Sequence, residues 1–508
     1  MNERAGKSQE YFRGVVCNPF HFPPLLPNTP LLHSRFPINM PDVSLVGLAA
    51  AAEPYRVDVV DGWNSALRFK DFIRGVSKYQ FVGIRAISSY TALQAHSLAA
   101  AVKARSPETL VILGGHHATL YHRKWLESAP EVDAVVRGEG EATFKEICDA
   151  IYNRRSFEGI AGVTWRDSHG KIRVEREREL IANLDSIPFP RFDLWEEDRY
   201  FIPLPVAGKS GAIEASRGCD FACGFCAVAA MWHKTHRWKS SERVIAEMEK
   251  LYANGYRKIG FADDNFNSDP NYTLKLCSEI KRRFPLLKWG GMMSAKPFIE
   301  EPSLAGAMAD AGCKIVVIGF ENVESAAVCN LHKGEKGALS EGDYKRVFKA
   351  LSENGIIVVG LFIYGYEGET RDDLYALGKL SREVCHFAGI QPYEVIHGAI
   401  DHPGTDDVGV EDFYKVQMLY SPRVAHTRAD RMRAFLPNFA SELKNALSLK
   451  QWTTLFYGAK SYYGLKALSP FALDDVRFTA ILHDARLPKK ERLQKLVSET
   501  LKAARQIQ

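Results

Sequence analysis

The sequence predicts an α/β protein whose parallel sheets are covered by helices. Two observations support this fold class: short β-branched runs alternate with helical patterns over the first 150 residues, and the same alternation returns between residues 211 and 405. Strands that alternate with helices favour parallel sheets with helices on both faces. The length of 508 residues allows about three domains.

Five apolar runs rich in Val, Ile and Leu predict the strands of the first sheet. They are residues 14–17, 56–60, 81–84, 109–113 and 132–136. The apolar-periodic stretches Val43–Ala52 and Ala92–Ala104 are predicted to form helices between them. Ligands of such sheets bind beyond the carboxyl ends of the strands, so the residues that follow these runs are candidates for a binding site.

The rhythm breaks after residue 150, where Trp165–Asp167 and Ser168–Gly170 predict a small antiparallel pair. In the second region, Ser240 or Ser241 is predicted to cap a helix that ends at Asn254-Gly255. Further strands are predicted at 258–262, 313–319 and 356–364. The predicted domains are 1–150, a linker with the antiparallel pair at 151–204, a second α/β core at 205–405, and a helical region at 406–508.

The composition is that of a soluble globular protein, with 46% hydrophobic and 25% charged residues. A net charge of +5 over this length does not indicate nucleic-acid binding. The first ten residues lack the apolar stretch of a secretory signal, and no apolar run approaches the roughly 20 residues that span a bilayer. We therefore expect a cytoplasmic protein with no transmembrane segment.

Three of the nine cysteines, Cys219, Cys223 and Cys226, lie within eight residues. Cysteine thiolates hold iron–sulfur clusters, and a 4Fe–4S cube needs four ligands. Three thiolates would leave one iron open to an external ligand. A zinc site is the alternative, and it would need His233 or His236 to complete four ligands. A closed electron-transfer cluster is disfavoured because the next cysteine, Cys277, is remote in sequence.

The spacing C-x3-C-x2-C, with the aromatic Phe225 before the last cysteine, resembles the radical S-adenosylmethionine (SAM) superfamily. The resemblance covers about residues 205–405 and implies a partial (β/α)6 barrel. It implies that the open iron binds SAM, and that reduction by an external donor such as flavodoxin or ferredoxin cleaves SAM to a 5′-deoxyadenosyl radical. An iron–sulfur redox sensor is a weaker alternative, since a sensor does not need motifs for SAM.

Further motifs follow the cysteines in the order of that superfamily. Gly319-Phe-Glu-Asn322 resembles a G-x-E-S strand end with Asn in place of Ser, and Gly365–Thr370 resembles a G-x-P-G-E-T turn with Glu367 in place of Pro. The residues that the resemblance implies as contacts to SAM are Phe225, Asp263, Asp264, Ser294, Lys296, Glu321 and Gly365.

The first 150 residues resemble the cobalamin-binding domain that precedes one large class of these enzymes, a doubly wound, Rossmann-like sheet. Leu113–Thr119 (LGGHHAT) and Arg137–Glu141 (RGEGE) carry the resemblance. The implied cobalamin contacts are Ser88, Ser89, Gly114, Gly115, Gly138 and Glu139. The D-x-H-x-x-G motif, whose histidine binds cobalt in other cobalamin proteins, is absent, and His116 and His117 are interpreted as a polar wall.

The two resemblances together imply a cobalamin-dependent radical SAM enzyme, with methylation of an unactivated carbon as the leading reaction. In that reaction one SAM methylates cobalamin, and the radical from a second SAM activates the substrate for transfer from methylcobalamin. Hydroxylation or oxidative cyclisation, of the tetrapyrrole or hopanoid type, is the alternative. The expected substrate is a small molecule, either flat or apolar, and aromatic residues of the tail such as Trp452 and Tyr462 either line its pocket or pack a helical cap.

Overall fold

A computed structural model of the protein describes residues 12–20 and 40–392, apart from residues 88, 222, 322–338 and 367, together with Asp430, Ala434 and Asn438. The described chain builds two sheets and a short two-stranded ribbon. No helix in these ranges is both long enough and apolar enough to cross a bilayer.

The first sheet has seven strands in the order β2-β1-β3-β4-β5-β6-β7. The strands are β1 (Arg13–Asn18), β2 (Arg56–Asp61), β3 (Phe81–Arg85), β4 (Leu110–Gly114), β5 (Ala134–Val136), β6 (Val163–Arg166) and β7 (Ile172–Val174). The first five pair in parallel, as predicted. The predicted antiparallel pair forms as β6 and β7, and it extends this sheet because β6 pairs with β5.

Helices cover both faces of the first sheet, which makes it doubly wound. They are α1 (Val43–Ala51), α2 (Phe69–Arg74), α3 (Ser89–Arg105), α4 (His116–Leu120), α5 (His122–Ser128) and α6 (Gly140–Tyr152). Neighbouring strand residues point to opposite faces. Val15 accordingly packs in one core with Leu98 of α3, and Val16 packs in another with Leu45 of α1 and Ile147 of α6.

The second sheet has six parallel strands in the order β15-β14-β13-β12-β11-β8. They are β8 (Lys209–Ile213), β11 (Tyr256–Phe261), β12 (Lys288–Met293), β13 (Cys313–Glu321), β14 (Ile357–Tyr364) and β15 (Phe387–Pro392), and the ribbon consists of β9 (Ser216–Gly218) and β10 (His236–Trp238). Each strand lies beside the next one in sequence, as in a barrel. Within the described residues the edge strands β8 and β15 do not pair, so the barrel is partial, as predicted.

The helices of the second region follow the strands in regular alternation. They are α7 (Ala227–Met231), α8 (Ser241–Ala253), α9 (Pro270–Arg283), α10 (Lys296–Glu300), α11 (Leu304–Asp310), α12 (Glu341–Glu353) and α13 (Arg371–Val384). Ser240 caps α8 by accepting the Arg243 N–H, and Asn254 ends this helix, both as predicted. Such a cap satisfies a backbone donor that the first helical turn leaves unpaired.

Only three residues of the predicted helical region 406–508 are described, namely Asp430, Ala434 and Asn438, and all three are helical. They pack on α13, where a side chain on Gly378 would overlap with the Ala434 carbonyl. The Asn438 side chain accepts from Arg382 at 2.8 Å. The aromatic residues of the tail, including Trp452 and Tyr462, lie outside the described residues.

A buried ion-pair group anchors the start of α8. Glu247 is fully buried, and its carboxylate lies 3.1 Å from the Lys239 ammonium and 2.8 Å from Nε of Arg243. Removing one partner from such a group leaves an uncompensated buried charge. Glu247 therefore holds two cations that would otherwise oppose folding.

Replacing Glu247 with Gln should lower the free energy of unfolding by about 3 kcal/mol, because two buried cations lose their partner charge. Glu249→Gln on the same helix is the matched control. Its carboxylate pairs with Arg283 at the surface, so its loss should cost only about 0.5 kcal/mol. Urea unfolding followed by tryptophan fluorescence measures both, and equal midpoints for the two variants would contradict the role of Glu247.

Candidate active site

The cysteine motif lies in the loop that joins the two strands of the ribbon. Residues 219–235 connect β9 to β10, whose register pairs Gly218 with His236 and Arg217 with Arg237. Gly218 has φ 91°, and a side chain there would overlap with the Thr235 carbonyl. Only glycine fits this position, so the backbone itself fixes where the loop starts.

The three cysteines are half-buried thiols with no disulfide. Burial, with smaller effects from Asp220 and Cys226, raises the pKa of Cys219 to about 12. Burial also raises the pKa of Cys226, against hydrogen bonds from the first backbone N–H groups of α7. Thiols with raised pKa values lose their protons only when they bind metal. The positive charge of the metal then stabilises the thiolates.

The donor set fits a cluster with three protein ligands better than it fits zinc. Cys17, Cys148, Cys277, Cys313 and Cys385 are buried in the hydrophobic cores, and Cys329 lies outside the described residues. The ring nitrogens of His236 are hydrogen-bonded to Ser216 and Ser268. Structural zinc takes four protein ligands, and His236, one of the two histidines near the cysteines, is already held by these two serines.

Two aspartates at the end of β11 hold the cysteine loop in place. Asp263 accepts hydrogen bonds from the Ala215 N–H at 3.1 Å and the Ser216 hydroxyl at 2.6 Å, and burial raises its pKa to about 7. Asp264 accepts from the Gly218 N–H at 3.2 Å and the Trp232 indole at 2.9 Å. It thereby ties both ends of the loop to β11, while the predicted contact of the two aspartates with SAM stays a prediction.

Asn265 is a site residue that the sequence analysis missed. Its side-chain amide donates to the Cys219 sulfur at 3.6 Å, and its carbonyl oxygen accepts from the Ser294 hydroxyl at 2.8 Å. The Ser294 N–H in turn donates to the side chain of Asn267 at 2.8 Å. Ser294, a predicted SAM contact, is thus joined to the cysteine loop through Asn265. Its position in the sequence could have indicated this role, since Asn265 directly follows the two aspartates at the end of β11.

Glu321 faces the cysteine loop from the end of β13. Burial raises the pKa of Cys226, and the charge of Glu321 contributes a smaller effect in the same direction. The residue has φ 60°, and a side chain on Gly319 would overlap with its carboxylate. Gly319 therefore leaves the space into which the Glu321 carboxylate folds.

Gly365 and Lys296, two further predicted SAM contacts, follow strands of the second sheet and have other partners. Gly365 has φ 83°, and its N–H donates to the buried Glu369 carboxylate at 2.6 Å. The Lys296 ammonium lies 3.3 Å from Glu300. Phe225 is half-buried in the turn before Cys226. Their contact with SAM stays a prediction.

The predicted cobalamin residues follow the strands of the first sheet. Gly115 has φ 96°, and a side chain there would meet the Ala86 carbonyl at 2.8 Å, whereas a side chain on Gly114 would meet nothing closer than 4.0 Å. Gly138 has φ 69° and open space beside it. Ser88 and the side chain of Ser89 lie outside the described residues. Glu139 is buried, and both of its carboxylate oxygens pair with arginines of the ribbon.

The two histidines after Gly115 have different surroundings. His117 is buried, and its Nδ1 accepts from the Trp125 indole at 3.1 Å within the first domain. His116 faces the cysteine loop, with its ring centroid 6.2 Å from that of Trp232. Burial and the nearby charge of Arg85 lower the pKa of His116 to about 4. The carboxyl end of β4 therefore meets the cysteine loop across a neutral imidazole.

Comparison with known proteins identifies both parts of the chain. Residues 213–380 match the radical SAM superfamily, and residues 34–148 match the B12 binding domain. An uncharacterized methyltransferase of Pyrococcus horikoshii is 34% identical over 349 residues, which are 68% of this chain and 73% of that protein. The chain belongs to the radical SAM superfamily. Its cofactors are a 4Fe–4S cluster, SAM and cobalamin, as predicted.

The chain is also similar to a second enzyme in sequence and to a solved structure in fold. The anaerobic magnesium-protoporphyrin IX monomethyl ester cyclase of Rubrivivax gelatinosus is 28% identical over 284 residues, 55% of this chain and 50% of the cyclase. The radical SAM methyltransferase TsrM of Kitasatospora setae, solved with cobalamin and a 4Fe–4S cluster, superimposes with a TM-score of 0.60 at 19% identity, covering 77% of this chain and 73% of TsrM. This last similarity confirms the predicted fold.

Asp264→Ala should weaken retention of iron about tenfold, because residues that orient metal ligands through hydrogen bonds carry effects of that size. Asp269→Ala is the matched control, since Asp269 only caps α9. Iron per folded chain, measured after anaerobic reconstitution and gel filtration, should fall for the first variant alone. Equal iron in both variants would remove Asp264 from the support of the loop.

Proposed function

We propose that this cobalamin-dependent radical SAM enzyme transfers a methyl group to an unactivated carbon of a small molecule. The observation that carries the proposal is the contact between the two cofactor-binding parts. His116, at the carboxyl end of β4, packs against Trp232 of the cysteine loop. A methyl donor held by the first domain and a radical generator held by the second would then serve one substrate. The similarity to a protein named as a methyltransferase supports the same reaction.

In the proposed reaction the protein positions its cofactors and excludes water. Cys219, Cys223 and Cys226 would hold the cluster, and Glu321 would face the SAM bound to it. When bound, the cofactors supply a 5′-deoxyadenosyl radical, which removes a hydrogen atom from the substrate, and the methyl group that replaces it. The open surface at Gly114 would let the backbone of β4 approach cobalamin closely.

The inner face of the second sheet supports an apolar or flat substrate. Val317, Leu361 and Ile363 are half-buried and alternate along β13 and β14 with fully buried neighbours. Their side chains therefore point away from the helical layer, toward the inside of the partial barrel. A tetrapyrrole or a lipid would match such a surface, and flavodoxin or ferredoxin is the proposed electron donor.

Oxidative cyclisation without methyl transfer is the second candidate. The similarity to the Rubrivivax cyclase, which spans half of that protein, favours it. The two reactions differ in how SAM is consumed. Methyl transfer yields S-adenosylhomocysteine and 5′-deoxyadenosine together, whereas cyclisation yields only 5′-deoxyadenosine.

We expect the reconstituted enzyme to form S-adenosylhomocysteine and 5′-deoxyadenosine in equal amounts for each product, when tetrapyrrole and lipid substrates are tested with methyl-labelled SAM. Cys223→Ala should form no 5′-deoxyadenosine, because the cluster would lose a ligand. Cys277→Ser, a buried core thiol, is the matched control and should retain the parental yield. Turnover with 5′-deoxyadenosine alone and an unlabelled product would support the cyclase instead.

A Gly114→Val variant should lose cobalamin while retaining the cluster, because its side chain would occupy the open space beside β4. Gly115 is a poorer probe, since its φ and the Ala86 carbonyl would destabilise any side chain there even without a ligand. Gly47→Ala in α1, where a Cβ meets nothing within 4 Å, is the control for folding. Cobalamin uptake by Gly114→Val at the parental level, measured by absorption after desalting, would overturn this site.

A further inference from the structure

Two arginines face each other on the ribbon that carries the cysteine loop. Arg217 of β9 and Arg237 of β10 are directly opposite in the antiparallel register. Like charges in this position destabilise a strand pair. The side chain of each arginine is only 13% exposed, so water screens their repulsion poorly. The ribbon therefore needs a negative partner from elsewhere in the chain.

The partner is Glu139 of the cobalamin-binding domain. One carboxylate oxygen lies 2.9 Å from Arg217 and the other lies 2.9 Å from Arg237. The second oxygen also accepts the Ile181 N–H at 2.6 Å. With its side chain 2% exposed, Glu139 is buried between the arginines and pairs with both.

A second carboxylate of the same domain strengthens this junction. Glu141 lies 2.6 Å from Arg217, whose Nε also donates to Glu214 at 2.9 Å. Burial raises the pKa of Glu141, but the charge of Arg217 and smaller effects together lower it by more, so the net shift is downward. We call these two glutamates and the two arginines that they contact the Glu139 clamp: Glu139, Glu141, Arg217 and Arg237.

The clamp joins positions that serve different cofactors. Arg217 precedes Cys219 by two residues, and Glu139 directly follows Gly138 at the carboxyl side of β5. A shift of the ribbon relative to the first sheet would break at least one buried pair. Breaking a buried pair by removing one partner costs several kcal/mol. The clamp thus resists relative movement of the two cofactor-binding parts.

We propose that Glu139 and Glu141 are positioning residues that set the distance between the cluster and cobalamin by clamping the cysteine-bearing ribbon. The proposal rests on the cluster ligands assigned under the proposed function. It gives Glu139 a role in the chemistry without contact with either cofactor. A misplacement of about 1 Å in such a site can cost about 100-fold in rate, so a positioning role has large consequences.

The test measures the distance between the reduced cluster and cob(II)alamin by pulsed electron paramagnetic resonance in the holoenzyme. The parent should give one narrow distance distribution. Glu139→Gln and Arg217→Lys should retain iron and cobalamin but give a broadened or shifted distribution. Glu139→Asp keeps the charge and should recover most of the parental distribution. Glu146→Gln is the matched control on α6, since its carboxylate pairs with Arg178 outside the ribbon.

Three outcomes would overturn the proposal. The first is a Glu139→Gln variant that holds both cofactors at the parental distance. The second is loss of cobalamin from Glu139→Gln while Glu141→Gln keeps the parental distance, which would make Glu139 a cobalamin contact. If Glu139→Gln does not fold, Glu141→Gln replaces it in the test. The third outcome is then a Glu141→Gln variant with the parental distance distribution. A wrong assignment of the cluster ligands would give a different result, because the Cys223→Ala variant would then retain its iron. Measuring iron in that variant therefore distinguishes failure of the proposed function from failure of this proposal.

Discussion

Charged side chains are tolerated in a protein interior only where each meets an opposite charge, and this constraint determines where the cysteine loop lies. The loop begins and ends on a two-stranded ribbon that has no hydrophobic core of its own. Its two arginines would repel each other without Glu139, and Asp264 anchors its backbone at Gly218. The ribbon is therefore fixed by carboxylates from the first domain and from the end of β11.

Polar groups at the edge of the second sheet also support the cysteine loop. Asp263 and Asp264 use their oxygens to hold the backbone before Cys219 and the indole of Trp232. Asn265 connects the Cys219 sulfur to Ser294. Residues at the carboxyl ends of parallel strands meet at one edge, so support of the loop and ligand binding compete for the same positions. The arrangement fixes the start of the cysteine loop, including Cys219.

The sequence predicted the parts of the fold that depend on local pattern. Buried parallel strands are continuous apolar runs, and the Ser240 cap and the cysteine spacing are short-range signals. The sequence analysis selected Glu139 as a site residue but could not predict its ion pairs. Its partners Arg217 and Arg237 lie about 80 to 100 residues further along the chain. Asn265 was missed for a similar reason, since an amide near a sulfur has no periodicity to reveal it. Long-range polar pairing is the information that a single sequence lacks.

The central claim is that three thiolates, held by the ribbon, leave one iron of a 4Fe–4S cluster open to SAM. Mössbauer spectroscopy of protein reconstituted with ⁵⁷Fe tests this most directly. On addition of SAM, about one quarter of the iron signal should shift, because a single iron of the cube lacks a cysteine. A spectrum that SAM leaves unchanged, or one in which all the iron responds alike, would contradict the account.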